Sequence, residues 1–236
     1  MKDKITQVIS NWDLENKEIK QIQNTTWQIG DDYVLKVYQN FSILERNLKI
    51  LQLLDSMDIP VGEIVPTKDN GRYTSSHDMF FFLSRKLPGS NIVRIGNNSK
   101  IATMMGEVIA DLHMAFKLCE SEDIFWNNSL LDEMNGWVKS SFEANEWKHI
   151  SKDEYDKIVS RLAVIYDNLP VQLIHRDVHF GNFLFSNDRF SGYIDFDLSQ
   201  RNIRIFDLCY FILGLLSEKE KLEITDELWF EIVKNV

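Results

Sequence analysis

Apolar residues recur along this chain at two periods, and each period predicts its own elements. Leu44, Leu48, Leu51 and Leu54 share one face of a helix that opens near Ser42. Ile101, Met104, Met105, Val108, Ile109, Leu112 and Phe116 form a second such stripe, on a long helix capped by Ser99. A third helix is predicted from Lys152 to Asn168, after an insertion holding the polar stretch Glu120 to Asn128 and the aromatic segment Met134 to Trp147. Compact apolar runs predict strands instead, at Tyr33 to Tyr38 and at Phe80 to Leu83 ahead of the turn Pro88-Gly89. Phe183-Leu184-Phe185 and Gly192-Tyr193-Ile194 read as two strands of a hairpin turned by Ser186-Asn187-Asp188. Strands dominate the first third and helices the rest. The expected architecture is α+β, with an antiparallel sheet and one helix in residues 1–85 and a mainly helical unit in residues 86–236.

The chemistry is concentrated beside that hairpin. His175-Arg176-Asp177-Val178-His179-Phe180-Gly181-Asn182 precedes it, and Tyr193-Ile194-Asp195-Phe196-Asp197 leaves it. The first segment has the H-R-D-x-x-x-x-N spacing of a kinase catalytic loop. A phosphoryl group in transfer passes through a loose, highly charged transition state, so a protein contributes mainly positioning and charge neutralisation. Asp177 is the candidate base that orients an attacking hydroxyl. Asn182 and Asp195 offer hard oxygens to Mg2+, and the hairpin brings them to one end. A second reading takes His175, Asp177 and His179 as the transition-metal site of a hydrolase, since imidazole with carboxylate suits zinc or iron.

These two segments resemble the aminoglycoside phosphotransferase and choline kinase-like superfamily of small-molecule kinases, and the resemblance extends over most of the chain. It implies a bilobal protein-kinase-like fold, with Lys36, in Tyr33-Val34-Leu35-Lys36-Val37-Tyr38, placed to hold the nucleotide phosphates. Glu45 matches the helix glutamate that pairs with such a lysine, although Ser42-x-x-Glu45 also reads as a capping box. Ser84 and Lys86 fall in the hinge whose backbone would receive the nucleobase of ATP, or of GTP. The resemblance also implies that Asp207 braces the catalytic loop through backbone N–H groups. His113 on the second helix is read as structural, and Asp197 is open between two faces of its strand.

The chain departs from that family in two respects. Its first hairpin has no G-x-G-x-x-G, offering only Asn24-Thr25-Thr26 near the phosphates. Only 29 residues follow Asp207, and the last helical pattern has no C-cap, so a truncated C-terminus is expected.

Composition narrows the partners. The net charge of −10 and pI of about 5.0 argue against nucleic acid as the main partner and against anionic membranes. No apolar run is long enough to span a bilayer, and Cys119 and Cys209 are the only cysteines, so a cytoplasmic enzyme with reduced thiols is expected. The expected reaction is magnesium-dependent transfer from ATP or GTP to the hydroxyl of a small molecule. A kinase-like nucleotide binder without catalysis is the second possibility. Neither the acceptor nor the oligomeric state is legible.

Overall fold

The computed structural model describes residues 2–92, 100–119 and 125–235. The expected cap Ser99 and the start of the Glu120 to Asn128 stretch lie outside the described residues. A short helix, α1 (Lys2–Val8), leads into a hairpin of β1 (Ile19–Gln23) and β2 (Thr26–Ile29), followed by β3 (Tyr33–Tyr38) and α2 (Phe41–Asp55). The strands β4 (Ile64–Val65), β5 (Thr74–Ser76) and β6 (Met79–Arg85) complete an antiparallel sheet of order β1-β2-β3-β6-β4, with β5 on the far part of β6.

Alternation along the strands sorts their side chains between two cores. Leu35, Val37, Phe81 and Leu83 pack with Ile5, Ile9 and Trp12 on the outer face. Tyr38 and Phe82 face the other way, into a core that joins Leu44, Leu48, Leu51 and Leu54 of α2 to the second half of the chain. Lys36 pairs with Phe82 across the ladder and Val34 with Ser84, so parity places Lys36 and Ser84 on the same inner face. The leucine stripe expected on α2 is therefore fully used. Its cap is Asn40, whose side chain accepts from the Ser42 N–H at 2.9 Å, rather than Ser42 with Glu45.

After the sheet come α3 (Lys100–Leu118), the short helices α4 (Leu130–Glu133) and α5 (Lys139–Ala144) joined by a wide turn at Met134–Val138, and α6 (Lys152–Tyr166). Ser151 closes a capping box with Glu154 at the start of α6. Ile101, Met105, Val108, Ile109, Leu112 and Phe116 of α3 are all buried, as their spacing predicts. In the insertion, Phe142 and Trp147 stack at 5.8 Å and meet Tyr155 of α6, while Trp126 and Trp137 are exposed. Arg46 of α2 lies 5.8 Å over the Trp126 ring, a contact between the two halves of the fold.

The remaining elements are β7 (Val171–Ile174), β8 (Phe183–Ser186), β9 (Arg189–Tyr193), β10 (Gln200–Ile203), α7 (Ile205–Ser217) and α8 (Asp226–Asn235). The predicted hairpin is β8–β9, with Phe183 opposite Tyr193. Asn187 and Asp188 both have positive φ, as a tight two-residue hairpin turn requires. The linker from β6 crosses this hairpin at Gly89, where φ is +96° and a Cβ would stand 2.3 Å from the Phe185 carbonyl oxygen. Only glycine fits there, and the crossing is sealed by backbone bonds between Ser90 and Phe185 at 3.0 and 2.8 Å. The architecture is α+β and kinase-like: a sheet with one long helix, then a mainly helical part carrying the hairpin. Among the described residues no helix is long and apolar enough to cross a membrane.

Candidate active site

The loop between β7 and β8 is held from below by Asp207, the third residue of α7. Its carboxylate is fully buried and accepts the backbone N–H of His175 at 2.9 Å and of Arg176 at 2.7 Å. The His113 ring, on α3, supplies a third donor at 2.9 Å. Both residues thus brace the loop. Arg176 takes a left-handed backbone, φ 71°, and sends its guanidinium to both oxygens of Glu133 at 2.7 and 2.8 Å while lying over the Phe206 ring. Both bonds come from one guanidinium nitrogen and tie the loop to α4.

His175 is completely buried against Phe196. One ring nitrogen meets the Ile194 carbonyl at 3.2 Å and the other faces the Asp177 N–H at 3.4 Å. Burial lowers its pKa, so the neutral ring serves as a spacer between loop and hairpin. It has no nitrogen left for a metal, which counts against the hydrolase reading. Among the described residues no group of three His, Cys, Asp or Glu side chains is arranged to hold a metal.

Asp177 lies at the turn of the loop. Asn182 donates through Nδ2 to its carboxylate and to its backbone carbonyl, both at 2.9 Å. His179 Nε2 stands 3.5 Å from the same carboxylate oxygen. The bond from His179, its charge, and the Tyr210 hydroxyl and Asn182 amide hold the Asp177 carboxyl at a pKa of about 2, against the cost of partial burial. Hydrogen bonding to Asp177 correspondingly raises the pKa of His179. A carboxyl held this low stays ionised across the neutral range and keeps its oxygens as hydrogen-bond acceptors.

With its nitrogen committed to Asp177, Asn182 is left with its amide oxygen as the end able to face a cation. The Ile194 N–H donates to the Asn182 carbonyl at 3.0 Å, so the hairpin brings Asn182 and the neighbouring Asp195 together at its open end. Asp195 has a left-handed backbone, φ 67°, and its carboxylate accepts from Lys36 at 2.8 Å. One amide oxygen and one carboxylate make a set of hard donors that fits magnesium, which keeps waters and phosphate oxygens for its other positions.

Lys36 has a second partner, Asp197, at 3.3 Å. Burial lowers the lysine's pKa, but the two carboxylates outweigh it and leave the pKa raised. Asp197 also accepts from the Tyr38 hydroxyl at 2.7 Å and from the Asn47 amide of α2. Here the structure corrects the sequence expectation for Glu45. Glu45 is exposed on α2, one helical step off the buried face, and the inward position belongs to Asn47, which is 2% exposed. An asparagine inside a leucine stripe was the signal available for it, since a buried amide requires a partner.

Lys36, Ser84, Lys86 and Asp195 line one cleft of about 240 Å³ between sheet and hairpin, with Gln23 and Thr26 of the first hairpin. Ser84 Oγ lies 3.5 Å from the Val34 carbonyl, and the Lys86 ammonium reaches Gln28 at 3.2 Å. Asp177 and Asn182 sit beyond this cleft. A second hollow of about 340 Å³ is lined by His179 and by Tyr210, which both contact Asp177, together with other residues of α7.

The sequence profile of the phosphotransferase enzyme family matches residues 17–224. No curated protein sequence matches the chain. Its fold is similar to that of an amicoumacin kinase solved with AMP-PNP and Ca2+, with a TM-score of 0.69 at 16% identity over 99% of this chain and 78% of the other. It is similar to an aminoglycoside phosphotransferase from Alicyclobacillus acidocaldarius, with a TM-score of 0.67 at 15% identity over 98% and 77% of the two chains. An aminoglycoside 2'-phosphotransferase of type IIIa, solved with GDP, aligns with a TM-score of 0.60 at 16% identity over 99% and 87%.

Proposed function

The chain belongs to the phosphotransferase enzyme family, which makes it an enzyme of phosphoryl transfer, and on that premise we propose that it moves the terminal phosphate of ATP or GTP to a hydroxyl of a small molecule. The observation that carries this reading is the arrangement around Asp177. It is hydrogen-bonded to Asn182 and contacts His179, which lines one hollow, while Asp195 and Lys36 are joined at 2.8 Å in the other.

The nucleotide lies in the cleft lined by Lys36, Ser84, Lys86 and Asp195, and the proposed hinge between lobes falls at Arg85 and Lys86. Lys36 gives up Asp195 and turns its ammonium to the phosphates. Asn182 and Asp195 would hold magnesium, which when bound neutralises charge on the phosphates. The acceptor approaches from the His179 and Tyr210 side, and Asp177 holds its hydroxyl in line. Fold relatives solved with AMP-PNP or GDP support a purine nucleotide as donor and leave the choice of base open. Neither Cys119 nor Cys209 is in a disulfide, which fits a cytoplasmic setting, where these nucleotides are supplied.

The test is Asp177→Asn, which keeps the shape and the Asn182 contact but removes the charge. Turnover should fall by about 10³-fold while nucleotide affinity is retained. Unchanged turnover would remove Asp177 from the mechanism.

A further inference from the structure

Two carboxylates share Lys36, and they point to different places. Asp195 sits at the open end of the hairpin beside Asn182, whereas Asp197 reaches back into the sheet and α2. There it collects three donors from two elements: the Lys36 ammonium at 3.3 Å and the Tyr38 hydroxyl at 2.7 Å from β3, and the Asn47 amide from α2. We propose that Asp197 is the positioning residue that holds Lys36 and α2 in register, the task that the family resemblance implies for Glu45. The proposal rests on the phosphotransfer reading for its purpose and on the hydrogen bonds alone for its geometry.

Asn47 lies on the core-facing stripe of α2 between Leu44 and Leu48, where an amide is costly unless it is hydrogen-bonded. Asp197 is its partner, so α2 is keyed in rotation to the segment leaving the hairpin. Once Asp195 turns to a cation, Asp197 is the carboxylate left to Lys36. It keeps the ammonium from following Asp195 and keeps β3 and α2 moving as one piece. Glu45, exposed on a different face of the same helix, cannot do this without rotating α2 and withdrawing its leucines from the core.

The rival role for Asp197 is a second metal ligand, and hydrogen–deuterium exchange of the full chain separates the two without requiring turnover. In the nucleotide-free protein, Asp197→Ala and Asn47→Ala should each speed exchange in α2 by about tenfold while leaving β8–β9 unchanged. Glu45→Gln should leave α2 as it is. In assays, Asp197→Ala should lower kcat by about tenfold or more at saturating nucleotide, further magnesium should not restore it, and adding Asn47→Ala should cost little more. Should Asp197→Ala not fold, Asn47→Ala carries the same readouts. Unchanged α2 exchange, recovery of activity with excess magnesium, or a Glu45→Gln variant that behaves like Asp197→Ala would overturn the proposal. A wild-type protein that transfers phosphate to no acceptor would sink the phosphotransfer reading and leave the exchange result standing.

Discussion

Two aspartates in this protein each gather three donors, Asp207 and Asp197, and they do so in opposite ways. Asp207 is fully buried and takes two backbone N–H groups of the loop that carries Asp177, plus one ring N–H from a neighbouring helix. Asp197 is one third exposed and takes three side chains, all from the first half of the chain. Backbone bonds to a buried carboxylate leave the chain no alternative partner, because the carboxylate has no exposed surface and every buried N–H must be satisfied. Side-chain bonds at a cleft can be exchanged for ligand atoms. The loop that carries Asp177 is fastened by the first kind of bond, and Lys36, the proposed phosphate-binding lysine, by the second.

This contrast makes graded predictions. Asp207→Ala should cost about 3–5 kcal/mol of stability, because it strands buried donors from three residues, and urea denaturation would measure it. A cost below about 1 kcal/mol would mean that water or rearrangement replaces the brace. Tyr38→Phe removes one donor from a carboxylate that keeps two others and partial solvation, so about 1 kcal/mol is expected in the same experiment.

The smallest effect is in pH dependence, through Asp177 and His179. The depressed pKa of Asp177 contributes stability above the normal carboxylate range that is lost as pH falls toward about 2. The raised pKa of His179 contributes stability below its ordinary value that is lost as pH rises through the folded one. Their contact is therefore strongest in mildly acid solution. The stability gap between the protein and His179→Gln should be larger near pH 5 than near pH 9, and modest, because the His179 side chain is 42% exposed. An equal gap at both values would show that the pair does not couple to folding.

Much of this was legible in the chain because it depends on short-range spacing. The β8–β9 hairpin follows from two apolar runs and a polar turn within a dozen residues, and it automatically aligns Asn182 with Asp195. The α2 stripe is equally local. What was not legible is which residue of α2 reaches the carboxylates around Lys36. Glu45 and Asn47 differ by two positions, and only the docking of α2 on the sheet sets the rotation that chooses between them. The Asn47 contact with Asp197 spans 150 residues, a distance at which chain spacing carries no information. The N-cap failed for a related reason: Asn40 and Ser42 are both good caps, and the entry of the chain from β3 decides between them.

We propose that Asp195, paired with Lys36 in this structure, is released to join Asn182 in a nucleotide–metal site. Thermal unfolding with ATP or GTP, each with and without magnesium, tests it directly in the wild type and in Asp195→Ala, since a ligand that binds only the folded state raises Tm. The account predicts a magnesium-dependent rise in the wild type that disappears in the variant. No rise with either nucleotide, or an equal magnesium-dependent rise in Asp195→Ala, would contradict it.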